Sequence, residues 1–324
     1  MRPASPVRLP EETHRMKPLL MAVATAAALV APLASAQKIG VTMATFDDIF
    51  LNILRNSMAD AARKAGASVQ IEDAGSDVGK QLSQIQNMIA QKVDAVIVNA
   101  VDTDATPKMT RLLTEARIPL VYVNRKPADF EKLPASVVMV ASDEMAAGRL
   151  QAEQVCKLLG GKGSILVLMG DLSNESTRSR TKAVDDVVAG KECSGISIAD
   201  RREGKWSRTR GQDITINWLS SGLKFDAIVS NDDEMALGAI NALKATKKWT
   251  PRTIVAGIDA TPDALASMKA GDLKVTVFQN AAGQGAGAID AAIRLSGKQS
   301  VERFVNIPFE LVTPGNMARY AGKN

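Results

Sequence analysis

The sequence of 324 residues is 46% hydrophobic and 23% charged, apolar enough for one large or two medium globular domains, so a disordered chain is excluded as the default. Its 40 basic and 35 acidic side chains are dispersed, without the lysine or arginine runs that track a phosphate backbone, which argues against nucleic acid as a partner.

The first element in chain order is an address. Met16-Lys17-Pro18 supplies a positive start, Leu19 to Leu33 an apolar run and Ala34-Ser35-Ala36 a small-residue cleavage site, which predicts an export signal with Gln37 as the mature N-terminus and the periplasm as destination. Residues 1 to 15 are polar and precede that pattern, so Met1 reads as an upstream start. The apolar run is shorter than the ~20 residues that span a bilayer, which disfavours a retained anchor. Cleavage would remove Arg2, Arg8, Arg15, Lys17, Glu11 and Glu12, leaving a nearly balanced charge, and with them His14, the single histidine. A chain without imidazole has neither a histidine base for hydrolysis nor a zinc site built from Cys and His. Cys156 and Cys193 would meet an oxidising compartment, where a disulfide is the expected state. Two buried free thiols remain the alternative, because spacing alone does not bring two Cα atoms within reach.

From Lys38 onward, short β-branched apolar runs alternate with longer segments of helical period. Strands are predicted at Ile39 to Met43, Val69 to Glu72, Ala95 to Val98, Leu120 to Val123, Val137 to Val140, Ile165 to Met169, Ile196 to Ala199, Ala227 to Ser230, Thr253 to Gly257 and Lys274 to Phe278. Helices are predicted between them, among them Leu51 to Lys64, Gln81 to Gln91, Glu144 to Leu159, Arg178 to Ala189 and Glu234 to Lys244. The alternation implies an α/β fold of parallel strands with helical crossovers, and ten strands exceed one compact sheet. No Pro/Gly/Ser-rich linker divides the chain, so two doubly wound parallel-sheet domains are expected, joined by a three-strand hinge with crossings near Ala141, Gln279 and Phe309. The expected division is residues 1–36 as N-terminal extension and signal peptide, 37–141 plus 280–309 as an N-terminal lobe, and 142–279 plus 310–324 as a C-terminal lobe.

Ligands of such sheets gather beyond the carboxyl ends of the strands. The residues there are polar or aromatic: Phe46, Asp47 and Asp48, then Asn124 and Arg125, then Asn231, Asp232 and Asp233, then Asp259, then Gln279 and Asn280. Carboxylates, amides and guanidinium forks together match hydroxyl groups, which both donate and accept. Phe46, Phe50 and Trp206, in a chain only 4% aromatic, can cover the C–H face of a sugar ring. Asp232-Asp233-Glu234 reads either as a cation site or acid pair, or as the acidic first turn of a helix. Gly283-Gln284-Gly285-Ala286-Gly287 lacks the full spacing of a dinucleotide loop and reads better as small residues that let a helix start pack closely.

These pieces resemble type I periplasmic sugar-binding proteins of the ribose-binding group over essentially the whole mature chain. The resemblance is carried by Asn231-Asp232-Asp233-Glu234-Met235-Ala236-Leu237-Gly238-Ala239, Gly257-Ile258-Asp259-Ala260-Thr261-Pro262-Asp263, Pro119 leading to Asn124-Arg125, and Asp102-Thr103-Asp104-Ala105. It implies a ligand-binding set of Phe46, Asp48, Phe50, Asn124, Arg125, Arg180, Trp206, Asp232, Asp259 and Gln279, with no cofactor and no metal. It also implies a monomer that is not an enzyme and that delivers its solute to the membrane permease of an ABC importer. Asp48 and Asp232 stand where ribose binders carry amides, and Asn124 where they carry an acid. The loop Phe46-Asp47-Asp48, Asn124-Arg125-Lys126-Pro127 and the stretch Thr276 to Gly285 resemble a subgroup that binds inositols and the inosamine rhizopines, so myo-inositol or a related inosamine is the expected ligand, with ribose or another pentose or hexose as the alternative. The effector domain of a LacI-type repressor shares the architecture but needs DNA-binding helices where an export signal stands. An enzyme on a doubly wound fold is the other rival, since fold alone does not set function.

Overall fold

The computed structural model describes residues 1–8, 10 and 36–324. The expected export signal and His14 lie outside the described residues, apart from Ala36. Residues 38–141 alternate strand and helix as β1 (Lys38–Met43), α1 (Ile49–Ala65), β2 (Ser68–Asp73), α2 (Val78–Ala90), β3 (Ala95–Val98), α3 (Thr106–Glu115), β4 (Leu120–Val123) and β5 (Val137–Ala141). The next stretch runs α4 (Glu144–Leu159), β6 (Lys162–Met169), α5 (Glu175–Ala189), β7 (Gly195–Glu203), α6 (Arg208–Ser220), β8 (Ala227–Ser230), α7 (Asp233–Ala245), β9 (Ile254–Ala256), α8 (Pro262–Lys269) and β10 (Thr276–Phe278). The chain then returns through α9 (Ala281–Ser296), β11 (Phe304–Asn306) and β12 (Glu310–Val312).

Two sheets result. The first has six strands in the order β11-β5-β4-β3-β1-β2, all paired in parallel. The second has four parallel strands in the order β7-β6-β8-β9, and single bridges from Ala256 to Val275 and from Asp259 to Phe278 lead on to the β10-β12 ribbon. That ribbon is antiparallel and stands beside the two parallel sheets that the sequence predicts. An antiparallel edge on a parallel sheet is common, because an edge strand can arrive from either direction without a crossover helix. Every predicted strand overlaps an observed one, but β11 and β12 were not predicted: three residues each, half-exposed, give periodicity nothing to act on. Strand β7 runs on to Glu203 as a charged edge, Asp200-Arg201-Arg202, where an apolar pattern stops at Ala199.

The helices form where an apolar stripe can be buried. In α1, Phe50, Leu51, Leu54, Met58 and Ala62 fall on one face and pack on β1, and Gly66 ends the helix with φ 71°, its N–H returning to the Ala62 and Arg63 carbonyls. Helix α9 lies against α1 so closely that a Cβ on Gly285 would come within 2.7 Å of Ser57 Cβ and 2.9 Å of Met58 N. The glycine run therefore serves close packing. Both faces of each sheet are covered, the first by Leu54, Met58 and Ile289 on one side and Ile85, Met109 and Leu113 on the other. The second is covered by Met235 and Leu243 on one side and Val155 and Val184 on the other. Cys156 in the last turn of α4 is bonded to Cys193 just before β7, with Cα atoms 5.8 Å apart, which decides between disulfide and free thiols. Among the described residues no helix is long and apolar enough to cross a membrane.

Candidate functional site

The carboxyl ends of strands from both sheets supply one cavity. Asp48, Phe50, Asn124, Arg125, Arg180, Trp206, Asp232, Asp259 and Gln279, nine of the ten residues expected from sequence, line it, and Leu51 and Ser176 complete the wall. Phe46 is the exception. Its ring packs against the core of the first sheet under the Arg55 guanidinium, 4.3 Å from the ring centre, so the aromatic that reaches the cavity from this loop is Phe50.

Each side chain is held by local structure. Asp48 caps α1, its Oδ1 accepting from Leu51 N at 2.9 Å, and Asp232 caps α7 in the same way by accepting from Met235 N at 2.9 Å. One carboxylate oxygen of each thereby anchors a helix while the group still faces the cavity. Asp233, one residue on, is buried and turned away. It accepts from Thr276 Oγ1 at 2.7 Å and from Thr261 N at 2.9 Å, bracing β10 against the start of α8. Glu234 pairs with Arg208 at 2.7 Å. The acidic triplet is thus a helix opening and a brace. Asn124 turns with φ 69° directly after β4, accepts from Asn99 Nδ2 at 3.3 Å and donates to Gln284 Oε1 at 3.3 Å. This links the end of β4 to α9.

The two arginines are anchored from behind. Arg125 Nη1 donates to the Ala100 carbonyl at 2.7 Å. Arg180 donates Nε to Glu144 Oε2 and Nη1 to the Asn231 carbonyl, both at 2.6 Å, and Nη2 to Gln279 Oε1 at 3.4 Å. Trp206 stands with its ring centre 5.7 Å from the Arg180 guanidinium carbon. Among the described residues Gln279 Nε2 is a buried donor without a partner, and a buried donor of that kind is costly unless something else accepts from it.

Electrostatics favour a polar ligand rich in donors. Burial pushes the Asp48 carboxyl up, against the opposing pull of Leu51 N–H and the Arg125 charge. Burial likewise lifts Asp232, with Asp48 and Asp233 adding repulsion, and lifts Asp259, although Arg180 pulls it down. Burial lowers Arg125, whereas Arg180, also penalised by burial, is held above its ordinary value by Glu144 and Asp259. Three carboxyls therefore face two guanidinium groups, one of them already shared with Glu144. Hydroxyl or ammonium hydrogens placed among them would relieve the crowding.

A family model for the periplasmic binding protein domain matches residues 39–299. The chain belongs to the periplasmic binding protein family. Within this family it has the type I fold, α/β with parallel sheets. It is 53% identical over 310 residues to the "Putative rhizopine-binding protein" of Rhizobium meliloti, covering 95% of this chain and 100% of that one. A solved ABC transporter solute-binding protein from Bacillus halodurans C-125 with bound myo-inositol is 38% identical, with a TM-score of 0.84 over 89% of this chain and 98% of that one. The Caulobacter myo-inositol binding protein, bound to myo-inositol, is 28% identical, with a TM-score of 0.82 over 90% of this chain and 97% of that one. Periplasmic binding proteins of this kind are solute-binding proteins of the periplasm.

Sequence reasoning missed Ser176, Leu51 and the supporting Glu144. Ser176 and Leu51 sit in first turns of helices that were predicted to begin later or read as core, and Glu144 gives no signal until its partner Arg180 is folded against it.

Proposed function

We propose that this protein is the solute-binding component of an ABC importer that captures myo-inositol or a related inosamine between two lobes, residues 37–141 with 280–309 and residues 142–279 with 310–324. The supporting observation is a single cavity in which three carboxyls, two guanidinium forks and the free Nε2 of Gln279 surround a space walled by Trp206 and Phe50. Arg125 and Arg180 donate to vicinal hydroxyls, Asp48, Asp232 and Asp259 accept from hydroxyls or from an amine, and the aromatic rings cover the apolar face of the ring. The inositol-bound relatives and the rhizopine relative support a cyclitol over a furanose. Export through residues 16–36 and delivery to a membrane permease belong to the same reading. The ligand supplies the free energy that shifts the lobes towards the closed population.

Calorimetric titration of residues 37–324 with myo-inositol, scyllo-inosamine and ribose tests it. Tightest binding to one of the two cyclitols is expected. Tighter binding of ribose, or chemical turnover of any of the three, refutes the reading.

A further inference from the structure

Behind the cavity wall, the segment after β3 in the first sheet meets the start of α5, which follows β6 in the second. Asn174, 1% exposed, stands at the N-cap of α5, where an asparagine side chain ordinarily accepts from the helix's own first turn. It makes no such bond. Its Nδ2 instead donates to the Val101 carbonyl at 3.0 Å and to Ser173 Oγ at 3.3 Å, while its Oδ1 accepts from Trp206 Nε1 at 2.9 Å. The Val101 carbonyl also accepts from Arg125 Nη1 at 3.4 Å. One amide thus joins an aromatic wall of the cavity from the second sheet to the segment that holds a guanidinium fork of the first.

We propose that Asn174 is a positioning residue that ties the Trp206 indole to the first lobe, so that this face of the cavity is set only when the two lobes are closed. The proposal rests on the reading of the cavity as a ligand site. The indole has little freedom of its own: Trp206 has φ 63°, and the ring lies so close to Gly170 that a Cβ there would meet Cζ2 at 2.1 Å. With one side blocked by backbone, the bond from Nε1 sets the tilt of the ring. Other bonds cross between the same segments. Thr103 N and Oγ1 donate to the Ser173 carbonyl at 3.2 and 2.9 Å, Glu175 N donates to Thr103 Oγ1 at 3.1 Å, and Arg178 pairs with Asp104 at 3.3 Å. None of these reaches the indole. Their amides do report whether the segments are together, because opening the lobes exposes the Thr103 N–H to water.

The test compares the parent with Asn174→Ala, which loses both arms of the amide, and Asn174→Asp, which keeps an acceptor for Trp206 Nε1 but loses the donor to Val101. Affinity and dissociation rate are measured with myo-inositol and scyllo-inosamine, and hydrogen exchange at the Thr103 amide is followed with and without these probes. Exchange at Val121 and Val167 in the two sheets serves as the folding control, and if it accelerates in the alanine variant the aspartate variant decides. The expected result is at least tenfold weaker binding through faster dissociation, with Thr103 exchange at least tenfold faster. The Trp206 indole N–H, assigned by its loss in Trp206→Phe, should lose protection in the alanine variant and keep it better in the aspartate variant. Affinity within twofold of the parent overturns the proposal, and so does weaker binding with unchanged Thr103 exchange, since Asn174 would then act without tying the lobes. If the parent binds neither probe, the cyclitol reading fails by itself, and ligand-free Thr103 exchange decides the tie alone: faster in both variants supports it, unchanged overturns it.

Discussion

Arg180 and Glu144 meet at 2.6 Å with side chains only 5% and 4% exposed, so the guanidinium that faces the cavity is charged and oriented by a carboxylate behind it. Breaking such a pair leaves an uncompensated buried charge. Glu144→Ala is expected to lower folding stability by about 3–5 kcal/mol in urea denaturation, and Glu144→Gln by less, because the amide oxygen still accepts from Nε. A denaturation midpoint for Glu144→Ala equal to that of the parent would show that the Asn231 carbonyl and Gln279 Oε1 suffice to hold Arg180.

Removing either fork takes away half of the guanidinium donors while the carboxyls of the cavity stay buried. Arg125→Ala or Arg180→Ala is expected to cost roughly 2–5 kcal/mol of binding, at least about a thirtyfold loss of affinity for the cyclitol that binds the parent. Titration of a variant within threefold of the parent would remove that arginine from the site.

The charge at Asp232 should discriminate between cyclitols. Asp232→Asn keeps an oxygen to cap α7 at Met235 N but gives up the negative charge. Binding of scyllo-inosamine is expected to weaken at least tenfold more than binding of myo-inositol, because only the amine loses a charge partner. Equal weakening of both would move the ammonium away from this carboxylate.

The buried carboxyls also make stability depend on pH. Asp48, Asp232, Asp233 and Asp259 are raised above the ordinary 3.8 by burial, Asp233 to about 7. The folded chain therefore holds more protons than the unfolded chain in that interval, and the contribution of these groups falls as pH rises from 3.8 through the folded values. Calorimetric scans of the ligand-free protein should show a lower Tm at about pH 7.5 than at about pH 5.5. A cyclitol that donates hydrogen bonds to the ionised forms should narrow the gap. A Tm that climbs over the same interval would mean that other groups dominate.

The disulfide closes a sequence separation of 37 residues, away from the cavity wall. Replacing Cys156 and Cys193 together by alanine is expected to cost up to about 4 kcal/mol in denaturant unfolding by the chain-entropy model, and to leave cyclitol affinity within about twofold. A large affinity loss with little change in stability would reverse that assignment.

Alternating runs such as Ala95 to Val98 and Leu120 to Val123, separated by amphipathic segments, were sufficient for the α/β architecture, because parallel strands buried on both faces need continuous apolar residues. The polar residues that follow those runs identified the walls of the cavity for the same reason, since the chain must turn where a strand ends. The direction of a side chain after the turn is another matter. Phe46 and Phe50 are equivalent as letters, yet one packs under Arg55 and the other reaches the cavity once α1 starts at Ile49. Trp206 and Asp259 stand at positive φ values that no local pattern announces, and Glu144 and Asn174 acquire a role only from partners distant in the chain, Arg180 36 residues and Val101 73 residues away. Local periodicity in the sequence determined which segments became strands and helices and which residues stood at their ends. Tertiary structure alone decided which of those residues share a cavity and what holds them there, because such contacts join parts of the chain that no local pattern relates.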